Sequence, residues 1–116
     1  LKIILHITET AQWEQAKNTG NYYNNTLDSE GFIHCSTIEQ IEKTANTFFA
    51  NQTGLILLCI ESEKVQPEIK YEAVGEEKFP HIYGLLNTDA VIDAIAFGPD
   101  ANGKFKLPPE LAKFNL

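Results

Sequence analysis

The opening segment "LKIILHIT" sets Ile3, Leu5 and Ile7 on one side and Ile4, His6 and Thr8 on the other, a period of two that predicts a first strand. "TAQWEQAKNTG" then reads as a short helix, capped by Thr10, anchored by Trp13 and Ala16, and stopped at Gly20. "NYYNNTLDSE" is dense in turn formers and predicts a loop. "GFIHC" predicts a second strand, with Phe32, His34 and Ser36 on one face and Ile33 and Cys35 on the other. "STIEQIEKTANTFFAN" carries the clearest helical signal. Ser36 and Glu39 match an S-x-x-E capping box, and Ile38, Ile41, Ala45 and Phe48 form one apolar stripe.

"GLILLCIE" is apolar on both faces and predicts a central strand. "EIKYEAV" alternates again, with Ile69, Tyr71 and Ala73 opposed to Lys70 and Glu72. "FPHIYG" contains Pro80, which donates no ladder hydrogen bond, so the segment is expected at an edge or in a loop, presenting His81 and Tyr83 together. "AVIDAIAF" predicts a strand, "PDANGKF" a turn and "PPELAKF" a last short helix. Strands and helices without strict βαβ alternation predict an α+β fold with a mixed or antiparallel sheet and two to three short helices. The 116 residues are expected to form a single domain, 1–116, around one core.

Nine basic against sixteen acidic residues give a net charge of −7, which repels nucleic-acid backbones, and no Lys/Arg cluster reverses it locally. A nucleic-acid-binding surface is therefore not expected, whereas a nucleotide held in a small pocket is compatible. The longest apolar run, Leu55 to Ile60, is about a third of a membrane span, and the N-terminal segment has no signal-peptide pattern. No membrane association and a cytoplasmic location are expected. Cys35 and Cys59 lie in apolar stretches, as buried reduced thiols do.

No phosphate-binding glycine loop, H-E-x-x-H or C-x-x-C motif is present. Instead, each histidine has a polar or aromatic companion two residues on: His6 with Thr8, His34 with Ser36, His81 with Tyr83. Were the three segments neighbours, these faces would line one cleft, with Glu72 joining from an adjacent strand. Each residue also has a plainer role: Ser36 as a helix cap, His6 and His34 as hydrogen-bonded structural histidines, Trp13 as a helix anchor, Cys35 as a core thiol, Tyr22, Tyr23 and Tyr83 as packing. Histidines, a tyrosine and one carboxylate suit a nucleotide sugar such as NAD, by hydrogen bonding the ribose and stabilising a developing oxocarbenium ion. Three histidines also suit zinc, but at no recognised ligand spacing. Cys35 beside His34 is no thiol–base pair, because strand neighbours face opposite ways.

The series "LHIT…W…G.Y", "EGFIHCS…Q", "AN.FF", "YE" and "FPHIYG.L…AV" resembles the domain of unknown function 952 family, from Ile4 to about Phe105. The chain departs from that pattern at Leu85, where proline is expected, and at Thr26, where serine is usual. The resemblance implies an ADP-ribosyltransferase-like fold, a split α+β arrangement. NAD-using enzymes of that fold employ a first-strand Arg or His, a second-strand Ser or Tyr and a later Glu. It thus implies His6, Ser36 with His34 beside it, and Glu72 as a catalytic set, with His81, Tyr83, Tyr22 and Gln40 binding substrate. The expected function is binding, and possible processing, of NAD, ADP-ribose or a related phosphorylated ribose, with ADP-ribosyltransferase-like or NAD-glycohydrolase-like activity. In it His6 and His34 orient the ribose or diphosphate, Tyr83 or Tyr22 stacks on the base, and Glu72 stabilises the cationic transition state. The alternatives are a non-catalytic nucleotide or peptide binding module and a zinc-dependent hydrolase.

Overall fold

The computed structural model describes residues 2–114; Leu1, the first residue of the expected opening strand, lies outside them. In chain order the elements are β1 (Ile3–Glu9), α1 (Thr10–Thr19), β2 (Asn21–Tyr22), α2 (Thr26–Ser29), β3 (Ile33–His34), α3 (Ile38–Phe48), β4 (Leu55–Glu61), β5 (Glu68–Val74), β6 (Glu77–Tyr83), β7 (Leu86–Asn87) and β8 (Val91–Phe97). Short 3-10 turns occupy Ser62–Lys64, Thr88–Ala90 and Pro109–Phe114. Every strand pairing among the described residues is antiparallel, which makes this an α+β fold of antiparallel sheets.

One sheet runs β1-β4-β8 and a second runs β3-β6-β5, with β2 and β7 forming a small ribbon. β4 is central, as its two-sided apolar sequence predicts, and Leu57, Leu58, Cys59 and Ile60 are fully buried. Because successive side chains alternate, the β1-β4-β8 sheet supports two cores rather than the one expected. On one face Leu5, Leu57 and Ile95 pack with Ile41 and Ala45 of α3 and with Phe105 and Leu111 near the C-terminus. On the other, Ile4, Leu58 and Ile60 pack with Trp13 of α1, Tyr22, and Ile33 and Ile82 of the second sheet.

Several local expectations shift by a residue, each for a tertiary reason. Glu9, not Thr10, is the N-cap of α1, and the Thr10 hydroxyl donates instead to the Gly54 carbonyl at 3.1 Å. Gly20 ends the helix in the left-handed conformation that glycine adopts without strain, at φ 85°. α3 is capped by Thr37 with Gln40, whose Oε1 accepts the Thr37 N–H at 3.0 Å, rather than by Ser36 with Glu39. Ser36 is unavailable because its backbone is paired with Leu5 of β1 in both directions at 2.8 Å. Phe48 is 72% exposed, and Phe49, at the helix end, packs on the core in its place. The predicted loop contains the one-turn α2 and the β2 ribbon strand.

Pro80 was expected at an edge, yet β6 is the middle strand of its sheet. An extended residue directs its N–H and C=O to the same neighbour. The Pro80 carbonyl accepts from Cys35 N–H at 3.0 Å, so the missing N–H faces the β3 side, where that two-residue strand has already ended. Proline thus forfeits a single ladder bond, the one to the Cys35 carbonyl where β3 ends, and none to β5.

Truncation of the central strand tests this two-core arrangement. Leu58→Ala removes a fully buried side chain from the layer between β4 and α1 and should lower unfolding free energy by about 2–5 kcal/mol in urea titration.

Candidate functional site

A cleft of about 470 Å³ opens where the two sheets diverge. It is lined by β1 from Leu5 to Glu9, by His34, Cys35 and Ser36, by Thr44 and Phe48 of α3, and by Phe79 and His81 of β6. Its remaining polar lining comes largely from Gln12, Asn24 and Thr26. The junction arises because Cys35 still pairs with β6 while the next residue, Ser36, pairs with β1.

His6 is buried at the back of this junction. Its Nδ1 lies 2.5 Å from the His34 carbonyl, which only accepts, so Nδ1 carries a proton. Burial pushes the His6 pKa down to about 4; the bond to the His34 carbonyl opposes this, and the His34 charge reinforces it. His6 is therefore neutral at pH 7, with its one proton on Nδ1. The Tyr22 hydroxyl lies 2.7 Å from Nε2 and 2.8 Å from Thr8 Oγ1, two acceptors for its one proton, and it accepts from Asn24 Nδ2 at 3.0 Å. Both ring nitrogens of His6 are thus used by the protein. His6 lines the cleft as a strut tying β1 to the second sheet, and Tyr22, fully buried behind it, has no face on which a base could stack.

The imidazoles of His34 and His81 are register partners across β3 and β6, with ring centroids 5.2 Å apart and edge to face. His34 is exposed and its Nε2 meets Glu30 at 3.1 Å. His81 is only 2% exposed and lies under the Phe32 ring, stacked at 4.0 Å. Its Nδ1 is 2.8 Å from Glu72 Oε1, and Tyr83 Oη–H donates to the same oxygen at 2.5 Å. The hydrogen bonds from Tyr83 and then His81 hold the Glu72 carboxyl below the usual range, while Glu72 pushes the Tyr83 hydroxyl up to about 12. An ionised carboxylate only accepts, so His81 carries its proton on Nδ1. At the opposite side of the ring, Nε2 is buried with no hydrogen-bond partner among the described residues. A buried polar atom left unpaired costs on the order of 1–3 kcal/mol, so it calls for an explanation beyond folding.

The residues singled out in the sequence divide accordingly. His6, His34, Ser36 and His81 line the cleft. Glu72 and Tyr83 do not; they reach it only through His81. Glu72 therefore does not face a cationic transition state as expected, and Tyr83 packs on Phe32 instead of lining the cleft. Gln40 does not line the cleft; its Oε1 serves the cap and its Nε2 donates to the Lys78 carbonyl at 2.8 Å. Ser36 Oγ donates to Thr44 Oγ1 at 3.3 Å. No motif or period in the sequence marks Gln12 or Asn24 as cleft residues; Phe48 was legible only as part of a helix stripe, and Phe79 and Phe32 only as members of strand segments. Among the described residues no three His, Cys, Asp or Glu side chains gather closely enough to hold a metal ion. Burial raises the Cys35 thiol far above its ordinary value, which leaves it an inert core group.

The architecture is that of a small α+β domain whose two antiparallel sheets enclose a histidine-lined cleft. The family described as "Protein of unknown function (DUF952)" matches residues 7–94, and the chain belongs to it. It is similar to protein CC0527 from Caulobacter crescentus, whose crystal structure is 35% identical, with a TM-score of 0.85 over 95% of this chain and 98% of that one. The solution NMR structure of CC0527 matches at 33% identity and a TM-score of 0.79, over 98% and 97% of the two chains. No curated protein matches the chain.

The neutral state of His6 has a measurable consequence. Its ordinary pKa of 6.5 applies to the unfolded chain and a value of about 4 to the folded one, so the unfolded chain binds the proton more tightly. This contribution is fully present above about pH 6.5 and falls away toward pH 4, by up to about 3 kcal/mol. Urea unfolding between pH 7 and pH 4.5 should show a slope in the wild type that is reduced in His6→Gln; equal slopes would refute it.

Proposed function

We propose that this chain is an ADP-ribosyltransferase-like domain that binds NAD, ADP-ribose or a related phosphorylated ribose, with the ribosyl end in the cleft. The observation that carries the reading is the convergence of His34 and His81 from one sheet and His6 and Ser36 from the other on one cleft of about 470 Å³. That volume suits a nicotinamide riboside or ribose-sized group, and apolar walls with a few placed polar groups are what such a ligand needs. The division of the strands into the β1-β4-β8 and β3-β6-β5 sheets supports this reading, since the family resemblance implies a split α+β arrangement.

The roles differ from those first assigned. His34 and Gln12 supply hydrogen bonds to ribose hydroxyls or to a carboxamide, and the Phe48 ring at the rim supplies a stacking face. No lysine or arginine is among the described residues that line the cleft. A diphosphate inside would be an uncompensated charge, so it stays at the solvent side while the uncharged sugar enters.

Isothermal titration of the full chain with NAD and with ADP-ribose should give saturable heat, weakened about tenfold or more by Phe48→Ala. No heat from either ligand at millimolar concentration would overturn the reading.

A further inference from the structure

We propose that His81 is a general base, oriented by Glu72, that deprotonates a water attacking the ribosyl C1′ of an N-glycoside bound in the cleft. This rests on the binding reading above and adds a reaction to it: hydrolysis of the glycosidic bond.

The geometry carries the assignment. A histidine in the middle strand of a sheet has no structural need for a buried nitrogen without a partner, yet His81 is 2% exposed and its Nε2 has none among the described residues. The ring is held from both sides of that atom's function. Phe32 stacks on its face at 4.0 Å, and Glu72 accepts the hydrogen bond from Nδ1–H at 2.8 Å. Tyr83 fixes Glu72 in turn with a 2.5 Å bond. This is the order of parts a base requires: an orienting carboxylate, a single tautomer, and a lone pair at the other ring nitrogen of a residue that lines the cleft. His6 lacks the last part, since both of its nitrogens are occupied.

In the step, a water oxygen forms a bond to C1′ as the C1′–N bond breaks, and that bond's electron pair leaves with the base. From NAD the leaving group is neutral nicotinamide, and the other product is ADP-ribose. The water's proton passes to His81 Nε2, giving an imidazolium that the adjacent Glu72 carboxylate stabilises. The proton is then released to solvent. No oxidant, reductant or metal is needed. Glu72 acts through His81 and is a positioning residue, in place of the direct contact with the transition state that the sequence suggested.

Two measurements on the full chain test this. Histidine nitrogen shifts of the ligand-free protein report the tautomer: His81 should carry its proton on Nδ1, and Glu72→Ala should populate both tautomers. A wild-type His81 protonated on Nε2 would overturn the proposal without reference to any ligand. Nicotinamide release from NAD, followed by chromatography, should fall at least about 100-fold in His81→Asn and about tenfold in Glu72→Ala, mostly in kcat. Tyr83→Phe should give a smaller loss in the same direction. If NAD binds but no nicotinamide is released, or if His81→Asn turns over at the wild-type rate, the base is wrong and the binding reading stands. If NAD and ADP-ribose give no heat, the binding reading falls and takes this reaction with it. Should His81→Asn fail to fold, the tautomer and the Glu72→Ala rate still decide.

Discussion

The two-way backbone bridge between Leu5 and Ser36 is the contact on which the site depends. It follows directly on a bond from Cys35 to Pro80 of the other sheet, so two adjacent residues hydrogen-bond to two different sheets. The sheets are joined along this seam and diverge from it, and the cleft lies where they part. The same seam delivers the His34 carbonyl to His6 Nδ1 and sets His34 opposite His81. It also withholds Ser36 from the helix cap, which passes to Thr37. Backbone pairing here outranks a local capping preference, because a cap is worth about 1 kcal/mol and sheet register decides which side chains are buried.

The three histidines have similar sequence contexts and different chemistry, and burial with partners explains the difference. His6 is enclosed, uncharged and saturated with hydrogen bonds. His34 is exposed beside a carboxylate. His81 is enclosed like His6 but satisfied on one side only. A buried imidazole with one nitrogen held and one free is the unusual state of the three, and the one that the proposed chemistry uses. Glu9 in the lining, the lack of any lysine or arginine among the described lining residues and the net charge of −7 all disfavour an anionic group inside.

Pro80 illustrates how a reliable local rule can point the wrong way. Proline is excluded from interior strands because it cannot donate, but that cost exists only where a partner awaits the bond. The missing N–H of Pro80 faces Cys35 at the end of β3 and not β5, so one bond is forfeited at a strand end and the strand keeps its place between β3 and β5. Brevity of β3 and proline in β6 are one feature seen from two sides: the chain leaves the second sheet there to reach β1. The exposed Phe48 shows the converse, an apolar residue on the expected stripe that is left at the cleft rim because the helix ends and Phe49 turns inward.

Periodicity and local stop signals determined the order of the longer elements apart from β6, the centrality of β4, the burial of Trp13 and Cys35, and the stop of α1 at Gly20, since each rests on contacts within a few residues or on plain hydrophobicity. The companionship of His6 with Thr8 and of His34 with Ser36 was also legible, because a strand's period of two places them. Only tertiary structure decided what each group does. Glu72 and His81 are nine positions apart in sequence, and their 2.8 Å contact exists because β5 and β6 pair in one register. Tyr22 is sealed behind His6 by packing that no local pattern encodes, and Gln40 is drawn to Lys78 across 38 residues. Tautomers, free lone pairs and buried charge are properties of partners, and partners distant in the chain are chosen by the fold.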